Sequence, residues 1–197
     1  DHEGTARGYV VYTLRGQKVE HPARDQELVI RDLAWLDADA YRSLWSFVAS
    51  HDLVGSVRWS GAPVDDPAAE FLMEPRMLNA RSQEGIWSRI VDVPTAFAAR
   101  GYDVAGEVTV EVEADAQTPW NDGAWHLECS PEGAHARSSR ETPDIRLNVK
   151  ALASLWSGFR SASELARWGL VEGDRQALAR ADDVFRTRHA PHCPDHF

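Results

Sequence analysis

Residues 86–102 constrain the fold more than any other segment of the sequence. The first part, residues 86–93, is rich in apolar and β-branched side chains, which predicts a strand. Pro94 suits the first turn of a following helix that should reach Arg100, and Gly101 suits its C-terminal cap. A strand joined to a short helix predicts that one domain ends here and another begins.

The pattern before this segment predicts strands and one longer helix. Residues 8–14 and 27–33 are rich in aromatic and β-branched side chains, which predicts two consecutive antiparallel strands. Asp37 or Asp39 can cap a helix that runs to about residue 50, and a further strand should follow it. We therefore expect strands and helices in the first domain.

The pattern after this segment changes to a second sheet. Residues 107–113 alternate apolar and polar side chains, which is typical of a strand with one buried and one wet face, and two more strands should follow in a meander. Three helical stretches close the chain, at residues 152–156, 163–168 and 175–186. Strands followed by helices predict a mostly antiparallel sheet covered by helices. The fold class is α+β, with domains of residues 1–92 and 93–197.

Composition excludes several classes of function. The net charge of −10, from 21 basic and 31 acidic residues, speaks against a nucleic-acid partner and favours a cationic small molecule. No apolar run approaches the roughly 18 residues of a membrane span. Cys129 and Cys193 form no disulfide pattern, so a reducing cytoplasm is expected. The chain begins at Asp1 without a leader, and we expect it to be part of a longer protein.

Several short motifs, taken in order, resemble the Eis-like (enhanced intracellular survival) family of GNAT N-acetyltransferases. They are Leu-Trp-Ser-Phe at 44–47, Ser-Val-Arg-Trp at 56–59, Ala-Trp-His-Leu at 124–127, Ala-Leu-Ala-Ser-Leu-Trp-Ser-Gly at 151–158, Leu-Ala-Arg-Trp-Gly at 165–169, and the ending Cys-Pro-Asp-His-Phe. The resemblance covers most of the chain. It implies that residues 1–92 hold the end of a second GNAT unit, a partial mixed sheet with helices. It also implies that residues 93–197 form a sterol-carrier-like (SCP2-like) domain.

The resemblance also implies an activity. Members transfer acetyl from acetyl-CoA to amines such as aminoglycosides, lysine side chains or polyamines, and they form homo-oligomers. The α-carboxylate of Phe197 would be catalytic, and Asp92, Asp195 and His196 would bind substrate. Acetyl-CoA would bind an N-terminal GNAT domain outside this chain, because no glycine-rich turn opens a helix here to hold its pyrophosphate. The chain alone is therefore expected to catalyse little.

Acid strength limits what the Phe197 carboxylate can do. An alkylammonium has a pKa of about 10.4 and a terminal carboxyl one of about 3.5, so direct deprotonation would cost about 9 kcal/mol. We therefore expect the carboxylate to orient the ammonium, pass its proton through water, and take up the proton of the more acidic tetrahedral adduct.

Other interpretations remain open from the residues. Four residues of the types that bind zinc lie close together near the end of the chain, at His189, His192, Cys193 and His196. Adjacent residues such as His192 and Cys193 rarely both reach one tetrahedral ion. We therefore expect no metal site. A sterol-carrier-like domain could instead bind an apolar ligand without catalysis, in a cavity between the sheet and the helices of residues 152–185. The chain could also serve only in oligomer contacts.

Trp45, Trp87 and Trp156 fall on apolar faces of their segments and are predicted to lie in the core.

Overall fold

The computed structural model describes residues 4–16, 24–193 and 195, and these residues divide into two compact units. The first unit runs to Gln83 and includes Cys193 and Asp195, and the second is Glu84–His192. No helix in the described ranges is long and apolar enough to cross a bilayer.

The first unit contains a three-stranded mixed sheet. Its main elements are β1 (Gly8–Gly16), β2 (Gln26–Trp35), α1 (Ala38–Ala49) and β3 (Val54–Trp59), followed by the short α2 (Ala68–Phe71) and a 3-10 turn at Pro75–Leu78. β1 pairs antiparallel with β2, and β3 pairs parallel with β2 on its other side. The two predicted antiparallel strands and the helix after them are thus confirmed.

Helix α1 begins where the sequence predicts. The Asp37 carboxylate accepts a hydrogen bond from the Ala40 amide at 2.8 Å and so caps the first turn. Tyr41 and Val48 lie on the buried face and pack with apolar side chains of β2, including Leu28. The side-chain cap and the spacing of the buried residues thus both match the predicted helix.

The predicted strand at residues 86–93 is wrong. These residues are irregular up to the start of the next helix, and no strand in the described ranges pairs with them. The side chains of Ile86, Trp87 and Val91 are exposed, Trp87 by 78%, which also contradicts its predicted place in the core. A sequence rich in β-formers becomes a strand only when a neighbouring strand takes up its backbone hydrogen bonds, and the described residues provide no such neighbour.

The second unit is a five-stranded sheet with helices packed against it. Its elements are α3 (Val93–Ala99), β4 (Gly106–Val112), a 3-10 turn (Pro119–Asn121), β5 (Gly123–Ser130), β6 (Gly133–Ser139), β7 (Ile145–Leu147), α4 (Val149–Trp156), α5 (Ala162–Arg167), β8 (Val171–Gly173) and α6 (Arg175–Phe185). The strand order is β6-β5-β4-β7-β8. The meander and three closing helices are confirmed, while β8 is too short to show a pattern in the sequence.

This second sheet is mostly antiparallel, as predicted, but it contains one parallel pair. β7 lies beside β4 and runs parallel to it, with Val110 opposite Ile145, because the chain leaves β6 and crosses back to the other side of β4. All other neighbouring pairs are antiparallel. Alternation within a strand predicts which face is buried but not the direction of the neighbour.

The core of the second unit lies between the sheet and its helices. Val108, Val110 and Val112 of β4 are at most 1% exposed, as the period-two pattern predicts. The rings of Phe97 on α3 and Phe185 on α6 pack with their centroids 5.6 Å apart.

Arg100 joins the ends of three helices in this unit. It follows α3 in extended conformation, so the predicted cap at Gly101, which has no positive φ, is not used. Its Nε donates to the Trp156 carbonyl at 2.8 Å and its Nη2 to the Phe185 carbonyl at 2.7 Å, and these two residues end α4 and α6. The guanidinium also lies over the Tyr102 ring. A cation at helix C-termini is favourable, because the last carbonyls lack helical partners.

Replacing this guanidinium should destabilise the second unit. We expect Arg100→Met to lower the free energy of unfolding by about 2–4 kcal/mol, because two charge-assisted hydrogen bonds are lost and two half-buried carbonyls keep no partner. Urea denaturation followed by circular dichroism measures this loss. The exposed Arg140→Met is the control and should stay within about 0.5 kcal/mol of the wild type. An equally small change for Arg100→Met would contradict the role given to Arg100.

Candidate functional site

Asp92 lies at the start of α3 with its side chain exposed. Its Oδ1 accepts a hydrogen bond from the Thr95 amide at 2.8 Å. Hydrogen bonds from the Thr95 side chain and main chain lower the pKa of the Asp92 carboxyl. The residue is therefore a helix cap and, at neutral pH, also a fixed negative charge that solvent and ligands can reach.

The backbone on both sides of Asp92 is fastened by Asn121. The Asn121 Oδ1 accepts from the Val93 amide at 3.0 Å, and its Nδ2 donates to the carbonyls of Val91 at 3.0 Å and Ile90 at 3.4 Å. Asn121 is 1% exposed. Sequence analysis missed this residue, since the only local signal is its place in the turn before β5, and its partners lie about thirty positions away.

Two further contacts hold the same segment. The Trp120 indole donates to the Val91 carbonyl at 2.8 Å. Arg89 pairs with Asp115, whose carboxylate also accepts from the amide and hydroxyl of Thr118. Hydrogen bonds from Arg89 and Thr118 lower the pKa of Asp115 to about 2. The approach to α3 is thus tied to the loop after β4 at several points.

The end of the chain contributes one described candidate. Asp195 is exposed, and the Cys193 thiol lies 4.0 Å from its carbonyl oxygen. Phe197 and His196 lie outside the described residues. Asp92 belongs to the second unit and Asp195 to the first. His189, His192 and Cys193 are described, and within the described ranges no three metal-binding side chains come together.

The turn between β2 and α1 shows whether the first unit can hold the pyrophosphate of acetyl-CoA. A pyrophosphate binds a strand-to-helix turn whose amides are free. Here the Asp37 carboxylate already takes the Ala40 amide and pairs with Arg7. At α2 the Asp66 carboxylate likewise accepts from the Ala68 amide. An amide at each helix start is already bonded to a carboxylate, so these residues do not fit the pyrophosphate.

Comparison with family models and curated proteins assigns the chain to a family. Residues 93–194 match the model of a sterol carrier protein domain, and residues 1–92 match that of an acetyltransferase (GNAT) domain. An uncharacterized N-acetyltransferase of Streptomyces avermitilis is 33% identical over all of this chain and 48% of its own length. The N-acetyltransferase Eis of Mycobacterium tuberculosis is 30% identical over 79% of this chain and 38% of its own length. The chain belongs to the Eis-like family of GNAT acetyltransferases.

A solved structure agrees with this assignment. Eis1 from Mycobacterium abscessus matches 96% of this chain and 48% of its own, with a TM-score of 0.75 and 30% identity. The Eis-like chain thus spans about half the length of the relatives it matches. The GNAT model matches residues 1–92 throughout, so the prediction that this segment holds only the end of a GNAT unit was too narrow.

The sterol carrier domain of this Eis-like chain is packed at its centre. Leu127 of β5, Leu147 of β7 and Leu152 of α4 are each at most 1% exposed and fill the interface of sheet and helices. A groove of about 240 Å³ lies between the helices, near Phe159 and Asp182. It is smaller than the roughly 300–1,000 Å³ of typical ligand pockets. The filled interface argues against a lipid-sized cavity between sheet and helices in the described residues.

The Arg89–Asp115 pair of this Eis-like chain should make stability depend on acid pH. The pKa of Asp115 is about 2 in the folded chain and 3.8 ordinarily, so its stabilisation is present above pH 4 and is lost as pH falls toward 2. We expect Asp115→Asn to flatten the loss of stability between pH 4 and 2, measured by urea unfolding at fixed pH. Arg89→Met should flatten it likewise, and an unchanged slope in both variants would refute the pairing.

Proposed function

We propose that this chain is part of a cytoplasmic, homo-oligomeric N-acetyltransferase that uses acetyl-CoA and acts on amines such as aminoglycosides, lysine side chains or polyamines. The chain supplies groups that bind the amine. The α-carboxylate of Phe197 acts on the proton of the amine, and Asp92, Asp195 and His196 contribute to substrate binding.

The state of Asp92 is the observation that carries this proposal. Its carboxylate is exposed, its lowered pKa keeps it ionised at neutral pH, and hydrogen bonds on both sides hold its backbone. A fixed, charged and accessible carboxylate suits an alkylammonium, which carries a positive charge at the same pH. The net charge of −10 favours the approach of such a cation over longer distances.

Proton transfer limits the mechanism. Only the neutral amine is nucleophilic, yet a terminal carboxylate is about 7 pKa units too weak to deprotonate the ammonium fully. We propose that the Phe197 carboxylate orients the ammonium while the first proton leaves through water to the solvent, so the carboxylate stays ionised. After attack the nitrogen becomes far more acidic, so the same carboxylate can then accept its remaining proton at little cost.

Acetyl-CoA binding is assigned to another part of the complete polypeptide. The starts of α1 and α2 carry Asp37 and Asp66, which do not fit a pyrophosphate. The relatives are about twice as long as this chain, which leaves room for a further GNAT unit. We therefore propose that this chain alone has little acetyltransferase activity. The packed core of the sterol carrier domain does not favour the alternative of an apolar-ligand carrier.

Displacing the terminal carboxylate tests this function. In the complete polypeptide, with acetyl-CoA and an aminoglycoside, one glycine added after Phe197 should lower kcat at least tenfold, because the carboxylate moves away from the amine. Release of free CoA thiol measures turnover.

Phe197→Leu is the matched control, since it changes the side chain and keeps the terminal carboxylate in place, and we expect it to retain most activity. Unchanged turnover in the extended form would exclude the role of the carboxylate. Absence of amine acetylation by the unaltered polypeptide, over all three amine classes, would exclude the proposed function itself.

A further inference from the structure

Asn121 is a buried polar residue whose side chain forms hydrogen bonds with the backbone on both sides of Asp92. It ends the 3-10 turn Pro119–Asn121 and is 1% exposed. A side-chain amide buried to this degree is destabilising unless its oxygen and nitrogen both find partners. Both find them in the backbone at the start of α3, the oxygen at Val93 and the nitrogen at Val91. The Asn121 amide therefore keeps its hydrogen bonds only while that backbone holds its position. The backbone groups in turn keep these partners only while Asn121 is present.

The pattern of these hydrogen bonds fixes the orientation of the amide. The oxygen faces the Val93 N–H, and the nitrogen faces the carbonyls of Val91 and Ile90. Rotating the amide by 180° would set donor against donor and acceptor against acceptor. Asn121 thus bonds to residues on both sides of Asp92 without touching the Asp92 side chain in any of these contacts.

The same bonds complete the start of α3. The Val93 amide is one of the first N–H groups of the helix, which have no helical partner, and Asn121 accepts from it. The Asp92 carboxylate takes the Thr95 amide. Because a buried side chain meets part of the capping requirement, the Asp92 carboxylate can stay at the surface with its charge exposed.

We propose that Asn121 is a positioning residue that sets the place of the Asp92 carboxylate for the amine substrate. This inference rests on the proposed function, in which Asp92 binds the substrate ammonium. A carboxylate that meets an ammonium through a charged hydrogen bond contributes to binding only while its position is held. Loss of Asn121 should therefore weaken amine binding and leave the chemical step nearly unchanged.

The test is steady-state kinetics of the complete polypeptide with the amine varied at saturating acetyl-CoA. Asn121→Ala should raise KM for the amine roughly tenfold, which is about 1.4 kcal/mol of lost binding, and change kcat less than twofold. Asn121→Ser is the second variant, in case the alanine protein folds poorly. It keeps one hydrogen-bonding group and should raise KM by a smaller factor.

A double-mutant cycle separates positioning from general destabilisation. Asp92→Asn should raise KM by itself, and Asn121→Ala should add nothing further in that background, because there is no carboxylate left to position. Asn148→Ala is the matched control: Asn148 caps α4 of the same unit through the Ala151 amide at 3.0 Å. It should lower stability and leave KM unchanged.

The outcomes distinguish this inference from the proposed function. If Asp92→Asn raises KM while Asn121→Ala and Asn121→Ser do not, the positioning role is wrong and the role of Asp92 stands. Additive effects in the double variant, or an equal rise in KM for Asn148→Ala, also overturn the positioning role. If Asp92→Asn leaves KM unchanged, the role of Asp92 in the proposed function is wrong. Asn121 then has no substrate-binding group to position, and the inference falls with it.

Discussion

The Arg100 guanidinium is the interaction on which the helical layer of the second unit depends. It follows the end of α3 and donates to the last carbonyls of α4 and α6, so three helix ends converge on one cation. Each of these carbonyls lacks a helical partner and would otherwise need water. Because the Trp156 indole also donates to the Ala96 carbonyl of α3 at 2.9 Å, α3 and α4 are joined from both sides. The apolar core then packs beneath helices whose ends are already fixed.

Helix α3 is therefore held by polar contacts at both ends, and this has a consequence for the site. At its start, Asn121 bonds to the backbone around Asp92, and at its end Arg100 bonds to two other helices. A helix of seven residues has little stability of its own, because nucleation is costly and few hydrogen bonds repay it. Tertiary contacts supply the stability instead. An exposed carboxylate can keep a definite position on such a helix only because neither end is free to move.

Much of this fold could be predicted from local pattern, and the failures share one cause. The Asp37 cap of α1 and the alternation of β4 are properties of neighbouring residues, and both are confirmed. The strand predicted at residues 86–93 depended on a partner strand that the described ranges lack. The parallel pairing of β7 with β4 and the role of Asn121 likewise depend on residues distant in sequence. Local pattern carries no information about such partners. For the site, the proposed role of Asp92 comes from the family resemblance, whereas its support by Asn121 could not be predicted from the sequence.

The carboxylates that cap α1 and α3 differ in whether a cation of the chain pairs with them. Asp37 caps α1 and is paired with Arg7, so its charge is neutralised within the first unit and its amides are no longer open to an anion. Asp92 caps α3 in the same way, but no cation among the described residues forms an ion pair with it. Its charge is thus available to a cation from outside. The first arrangement is unfavourable for a phosphate and the second is open to an ammonium, and this difference supports the proposal that the chain serves the amine side of an acetyl transfer.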